Sequence, residues 1–301
     1  MSLNSSFITF ILGLGIGALA LSPILLFKSQ SNQKLHLFTP HASQEAQEVV
    51  KEIINKNGTV AQTLITQLHE QHQQNLKNLQ EAFPFSKQEW DELWETLAFI
   101  KKQDAEYIPE KPMTESNDPW ILKAQTLLKK CGINPEKVTI SLVNNIGKAM
   151  NASAGQGYAD GHILHLIEMN IPRFSQLDPD TQEATLKHEI MHLINCDPLE
   201  RALICNLLEK QGLVAEEYES TPAFRAYYHH TEFRADLMAS SDDINIAHGL
   251  QKNCIEYLHK YPEKQNKNSH PSDLQRYYAL ARLISYLEAE NMLKSGQALA
   301  A

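Results

Sequence analysis

Residues 188–192 read HEIMH and lie in a helical pattern from Asp180 to Asn195 that no proline or glycine interrupts. Two histidines four positions apart lie on one face of a helix, so His188 and His192 can reach the same metal ion. Glu189 follows the first histidine, where its carboxylate can hold a water molecule. This is the arrangement of zinc hydrolases, in which the two histidines are ligands and the glutamate is the general base.

The residues around the motif favour a buried helix. Asp178 is a suitable N-cap, and Pro179 fits the first helical position. An apolar stripe follows the helical period and contains Leu186, Ile190, Leu193 and Ile194. An HExxH sequence nevertheless arises by chance in about one of twenty chains of this composition, so the motif needs support from a third ligand elsewhere.

The spacings of known zinc hydrolases exclude two positions for that third ligand. The metzincin pattern requires glycine and histidine where this chain has Asn195 and Pro198. A thermolysin-like glutamate, about twenty residues after the second histidine, would fall at Gly212. We therefore expect the third ligand on a later helix.

Glu232 is the strongest candidate. It lies in a helical pattern that opens at Thr221-Pro222 and carries apolar residues on one side. Asp236 follows four positions later on the same face, and we predict that it accepts a hydrogen bond from a ligand histidine. His229 shares the face of Glu232 and is an alternative ligand, as is His230.

Four motifs follow one another in a distinctive order: N-A-x-A before a glycine-containing stretch, then H-E-x-x-H, E-F-x-A-D, and S-H-P-S with a later arginine. They occupy Asn151–Ala154, His188–His192, Glu232–Asp236, Ser269–Ser272 and Arg276. The order resembles metallopeptidase family 48, which includes CaaX prenyl proteases, HtpX-like heat-shock membrane peptidases and Oma-type mitochondrial peptidases. Over residues 118–287 this resemblance implies a gluzincin fold, one Zn²⁺ held by two histidines and a glutamate, and hydrolysis of peptide bonds.

The resemblance also implies functional roles for Asn151 and His270. Negative charge develops on the substrate carbonyl during hydrolysis, and a donor from outside the HExxH helix is expected to stabilise it. Pro271 holds the preceding residue in an extended conformation at the entrance of a predicted helix, so His270 can point at a neighbouring site. An alternative is that His270 caps its own helix or pairs with Asp273.

The charge and hydropathy of the chain indicate which partners to expect. The net charge is −9 and no dense run of Lys or Arg occurs, so nucleic acid is excluded as an expected partner. Phe7 to Phe27 carries no charge and is long enough to cross a lipid bilayer as a helix. A cleaved signal sequence ending near Ala18-Leu19-Ala20 is the alternative. We expect a single-pass N-terminal anchor, with the side of the membrane left open.

The chain is predicted to be α+β and mainly α, with three segments: an anchor at 1–30, a helical spacer and linker at 31–115, and a zinc metalloprotease domain at 116–295. In the last segment, Val138–Val143 and His162–Glu168 are predicted strands, with a glycine loop before the second. We expect His162–Glu168 to be an edge strand, to which an extended substrate could add. Its histidines, His162 and His165, are predicted to be surface residues.

The predicted function is that of a membrane-anchored zinc endopeptidase acting on unfolded or membrane-associated proteins. A membrane segment that crosses once, rather than four or more times, favours an HtpX-like, Oma-like or periplasmic-chaperone-like role over prenyl-protein processing. A non-catalytic, membrane-tethered interaction protein is the alternative. The four cysteines show no C-x-x-C spacing and are interpreted as free thiols.

Overall fold

The computed structural model describes residues 44–56, 58–83, 85–145, 150–261 and 270–295, and these are mainly helical with one small sheet. The helices are α1 (Gln44–Asn55), α2 (Val60–Ala82), α3 (Lys87–Glu106), α4 (Pro119–Lys130), α5 (Ile171–Phe174), α6 (Pro179–Asn195), α7 (Asp197–Lys210), α8 (Ala215–Ser220), α9 (Pro222–Ser240), α10 (Ile244–Lys260) and α11 (Asp273–Lys294). The strands are β1 (Val138–Val143), β2 (Ala152–Ala159) and β3 (His162–Asn170). The predicted α+β, mainly α class is therefore confirmed.

The described chain forms two compact units. Unit one contains residues 44–70, 236–261 and 271–295, and unit two contains residues 71–235 with His270, so the divisions fall inside α2 and α9. In unit one, α11 packs against α10 and α1, and the buried Glu290 carboxylate accepts a hydrogen bond from the Val60 N–H at 3.2 Å. The proposed metal ligands all belong to unit two.

Residues predicted to form a spacer contribute to the core of unit two. One apolar cluster joins the end of α2 and α3 to α7, α8 and α9. Its buried members are Leu76, Leu79, Phe83, Trp90, Leu93, Ile204, Leu208, Tyr218, Phe224 and Tyr227. The helices α2 and α3 are therefore structural neighbours of the helices that carry the candidate site.

Helix α6 begins and ends where local sequence chemistry dictates. The Asp178 carboxylate accepts a hydrogen bond from the Thr181 N–H at 3.2 Å, and Pro179 occupies the first turn, as predicted. The helix ends at Cys196, which adopts a left-handed conformation with φ of 58°. Because Pro198 favours the start of a new helix, α7 begins at once and Asp197 turns back towards the end of α6.

The sheet has the order β1-β3-β2, with β3 parallel to β1 and antiparallel to β2. The prediction that His162–Glu168 forms an edge is therefore wrong, because β3 pairs on both sides, and β2 lies at an edge. The predicted glycine loop is also wrong, because Gly155 and Gly157 pair with Leu166 and Leu164 inside β2. The glycines of β2 interrupt the alternation of apolar and polar side chains that predicts a strand. This strand could therefore not be recognised from its own sequence.

A hairpin signal between β2 and β3 explains this topology. Asp160 and Gly161 form a two-residue connection with positive φ angles of 51° and 82°. Asp-Gly is favoured in such a turn, because both central residues of a type I′ turn need positive φ. The dipeptide therefore brings the two strands together directly.

The strand histidines are buried, which corrects their predicted surface position. His162 stacks on Tyr107 with ring centroids 3.9 Å apart. The His165 Nε2 lies 3.4 Å from the Asp104 carboxylate, and its Nδ1 lies 3.1 Å from the Gln156 amide nitrogen. Burial lowers the pKa of His165, and Asp104 offsets only part of that effect. Strand β3 thus presents these side chains to α3.

Among the described residues, no helix is long and apolar enough to span a membrane. The predicted anchor at Phe7–Phe27 lies outside the described residues. It stays a prediction from the sequence.

The central position of β3 can be tested by truncating one buried and one exposed side chain. Ile167 is fully buried, whereas Leu164 on the same strand is 44% exposed. We expect Ile167→Ala to lower the free energy of unfolding by about 2–5 kcal/mol. The control Leu164→Ala should change it by less than about 0.5 kcal/mol. Urea denaturation measures both, and equal losses would contradict the burial pattern.

Candidate metal centre

Helix α6 brings the imidazoles of His188 and His192 close together. The Nε2 atoms of His188 and His192 lie 3.1 Å apart, and their ring planes are nearly perpendicular at 89°. Both side chains are buried. With zinc–nitrogen bonds of about 2.0–2.1 Å, two ligands of a tetrahedral ion are separated by about 3.3 Å, so this spacing suits shared coordination of zinc.

Glu232 on α9 completes a set of three. One carboxylate oxygen lies 3.6 Å from the His188 Nε2, and the other lies 3.7 Å from the His192 Nε2. Burial alone would raise the pKa of Glu232, but the neighbouring imidazoles of His188, His192 and His270 outweigh it and hold the pKa well below its usual range. The carboxylate is therefore ionised and buried against two imidazoles, as a metal ligand requires.

Glu189 supplies a second carboxylate close to the two histidines. Its oxygen and the nitrogens of His188 and His192 all lie within 4.8 Å of one another. Glu189 is half-buried, whereas Glu232 is only 7% exposed. The difference in burial distinguishes a carboxylate that can reach a substrate from one enclosed with the histidines.

Asp197 orients His192, and the sequence analysis missed it. Its carboxylate lies 2.8 Å from the His192 Nδ1, and its other oxygen accepts a hydrogen bond from Arg234. Burial would raise the pKa of Asp197, but its bonds to His192 and Arg234 lower it. An ionised acceptor keeps the imidazole proton on Nδ1, so the lone pair of Nε2 faces Glu232 and is available to a metal. Asp197 was recognisable only as the acid before Pro198.

Asp236 was predicted to accept a hydrogen bond from a ligand histidine. The structure places its buried carboxylate against Arg276, which donates two hydrogen bonds of 2.7 Å. Both residues belong to motifs that carry the family resemblance. The predicted bond from a histidine to Asp236 stays a prediction, and Asp197 fills that role for His192.

His270 lies beside the ligand set. Its Nε2 is 3.7 Å from a Glu232 carboxylate oxygen, and its side chain is 55% exposed. Asn151 is buried directly before β2, where its backbone carbonyl accepts a hydrogen bond from the Asn170 N–H at 2.8 Å. The proposed roles of both residues in catalysis stay predictions.

The two histidines considered as alternatives to Glu232 have different surroundings. His229 is half-buried on α9. His230 is buried and stacks on His72, with ring centroids 5.6 Å apart. Glu232 is the residue of this segment whose side chain faces both histidines of α6.

The donor set fits zinc. Two imidazole nitrogens and one carboxylate oxygen are the protein ligands of many catalytic zinc sites, which keep a fourth position for water or substrate. The two Nε2 atoms lie 3.1 Å apart, and one oxygen of Glu232 lies 3.6 Å from His188 while the other lies 3.7 Å from His192. His188, His192 and Glu232 are therefore the residues that would hold the ion.

The role of Asp197 predicts an effect on metal affinity. Asp197→Asn preserves the shape of the side chain but removes its charge, so we expect zinc affinity to fall by about 10–100-fold. Asp104→Asn is a matched control, because Asp104 also accepts from a histidine and lies near a cation, Lys137. It should leave zinc affinity unchanged. Competition with a chromogenic chelator measures both, and equal affinities for the two variants would contradict the assignment.

Comparison of the chain with family models, curated proteins and solved structures finds no match. The resemblance to metallopeptidase family 48 rests on the four ordered motifs.

Proposed function

We propose that this protein is a zinc-dependent endopeptidase. The observation that carries the proposal is the convergence of His188, His192 and Glu232 with separations of 3.1–3.7 Å, next to the free-standing carboxylate of Glu189. The chain order of the four motifs, with the resemblance to metallopeptidase family 48, supports the same reaction. One zinc ion per chain is expected.

A zinc ion held by this set would act as a Lewis acid on a peptide carbonyl and lower the pKa of the attacking water. Glu189 takes the proton of that water as general base and returns it to the leaving amine. His270 lies 3.7 Å from Glu232, where it can donate a hydrogen bond to the carbonyl oxygen as negative charge develops. Asn151 is the second proposed donor.

Strand β2 is the proposed site of substrate binding. It lies at the edge of the sheet and packs against α6 and α7. The Gln156 amide donates hydrogen bonds to the Leu193 carbonyl of α6 at 3.0 Å and contacts His165 of β3, so the edge strand is tied to the HExxH helix. An extended peptide that pairs with β2 is recognised through its backbone. Unfolded protein with varied side chains is therefore the proposed substrate.

The proposed location is a membrane, through the uncharged segment Phe7–Phe27. An anchored active site acts on proteins held near the bilayer. The lipid bilayer and a protein substrate are therefore the proposed partners.

The division of roles between the two glutamates predicts opposite responses to mutation. In the full-length protein, Glu189→Gln should keep about one zinc but lose cleavage of unfolded casein, because Glu189 is not a ligand. Glu232→Ala should lose zinc, because it removes one of three ligands. Elemental analysis and a casein assay measure these outcomes.

The controls separate the proposal from its alternative. Wild-type protein treated with a chelator should lose cleavage and regain it with zinc. Full activity in Glu189→Gln would exclude the proposed general base. A wild-type protein that holds zinc but cleaves no unfolded substrate would favour the non-catalytic interaction protein.

His270 should affect turnover rather than metal binding. Loss of one donor to a developing oxyanion costs about 100–1000-fold in kcat, with little change in ground-state binding. We therefore expect His270→Ala to retain zinc and thermal stability while its kcat falls within that range. Steady-state kinetics and a melting curve measure this, and unchanged kcat would reduce His270 to a structural residue.

A further inference from the structure

Tyr228 contacts His270 beside the metal centre. It lies on α9 one helical turn before Glu232, so both side chains share one face of the helix. The Tyr228 hydroxyl is 3.4 Å from the His270 Nε2, and the two rings meet edge to face with centroids 5.2 Å apart. This same Nε2 lies 3.7 Å from Glu232. The contact therefore involves the atom that faces the metal ligands.

Arg201 is a second neighbour of Tyr228. Its guanidinium carbon lies 4.7 Å from the centre of the Tyr228 ring, within the range of a cation–π interaction. Arg201 follows Asp197 by one turn of α7, so the two residues share a face of that helix. One face of α7 thus holds both the His192 imidazole, through Asp197, and the Tyr228 ring.

The Tyr228 hydroxyl is neutral near pH 7. Burial raises the pKa of Tyr228 to about 12, although Arg201 opposes the shift. A neutral hydroxyl can accept a hydrogen bond from the His270 Nε2–H, which keeps the imidazole proton on the nitrogen that faces Glu232 and adds no negative charge there. The same N–H is then available to a substrate carbonyl that gains negative charge. These properties suit a group that orients a neighbour.

We propose that Tyr228, held in place by Arg201, is a positioning residue that fixes the His270 imidazole towards the metal centre. His270 needs such support because its side chain is 55% exposed. Misplacement of a reacting group by even a small distance lowers the rate of reaction strongly. This inference rests on the proposed function, in which His270 acts on the substrate carbonyl.

Two variants of neighbouring tyrosines separate positioning from general stability. Tyr228→Phe removes the hydroxyl, and with it both the contact with His270 and the hydrogen bond with Arg201, but it keeps the ring beside the Arg201 guanidinium. Tyr227→Phe is the matched control on the same helix, because the buried Tyr227 hydroxyl donates to Glu200 at 3.0 Å. We expect Tyr227→Phe to lower the melting temperature without affecting His270, since its lost bond lies elsewhere.

The kinetic test uses a double-mutant cycle in the full-length protein. Tyr228→Phe should lower kcat by about 10–100-fold, the range for groups that orient functional residues, while KM and zinc content stay unchanged. In the His270→Ala background, Tyr228→Phe should have no further effect, because the residue acts through His270. Arg201→Gln should lower kcat in the same direction. An equal loss from Tyr228→Phe in both backgrounds would overturn the proposal.

A second readout does not depend on activity. The imidazole NMR signals of His270 are assigned in zinc-free, ¹⁵N-histidine-labelled protein as those that His270→Ala removes. Tyr228→Phe should shift them, and Tyr227→Phe should not. Unchanged His270 signals in Tyr228→Phe would overturn the positioning role. If the wild type neither binds zinc nor cleaves protein, the proposed enzyme activity fails, whereas these signals still decide whether Tyr228 orients His270.

Discussion

The hydrogen bond between His192 and the buried Asp197 carboxylate is the interaction on which the candidate site depends. A buried charge is costly unless it is paired and hydrogen-bonded. Asp197 meets this requirement with His192 from α6 and Arg234 from α9. Since Glu232 lies two residues before Arg234, the same ion pair holds the third proposed ligand near the histidines. The hydrogen bonds that satisfy the buried Asp197 carboxylate therefore hold α6, α7 and α9 together.

Helix α7 extends this arrangement beyond the metal ligands. Glu200 and Arg201 follow Asp197 by three and four residues, so the three side chains lie on one side of α7. Each of them contacts a different partner. Glu200 accepts a hydrogen bond from Tyr227 at 3.0 Å and lies 3.0 Å from the Nε2 of His72 on α2. Helix α2, which lies outside the region of family resemblance, thus contributes the buried His72 to the contacts of α7. The packing of α2 and α3 against α7–α9 makes them part of the same core.

The edge strand and the metal centre are joined by a second polar network. Gln156 of β2 bonds to the last turn of α6, and His165 connects Gln156 to Asp104 of α3. These hydrogen bonds fix the position of the edge strand β2 relative to the HExxH helix α6. For a peptide that pairs with β2, the position of each backbone carbonyl relative to the metal would be set by this network. Metal coordination and substrate alignment therefore depend on different contacts of α6.

We could predict helix α6, its Asp178 cap and the shared face of His188 and His192 from the sequence, because these depend on neighbours within one or two helical turns. The order of the motifs also singled out Glu232, whose role as a ligand stays a prediction. Three further features became visible only from tertiary packing: Asp197 orients His192, β3 is central, and His165 is buried against Asp104. These features arise from a left-handed residue at Cys196, from strand pairing and from packing between distant segments. Local periodicity carries no information about such contacts, because it records only which residues share a face and not what that face meets.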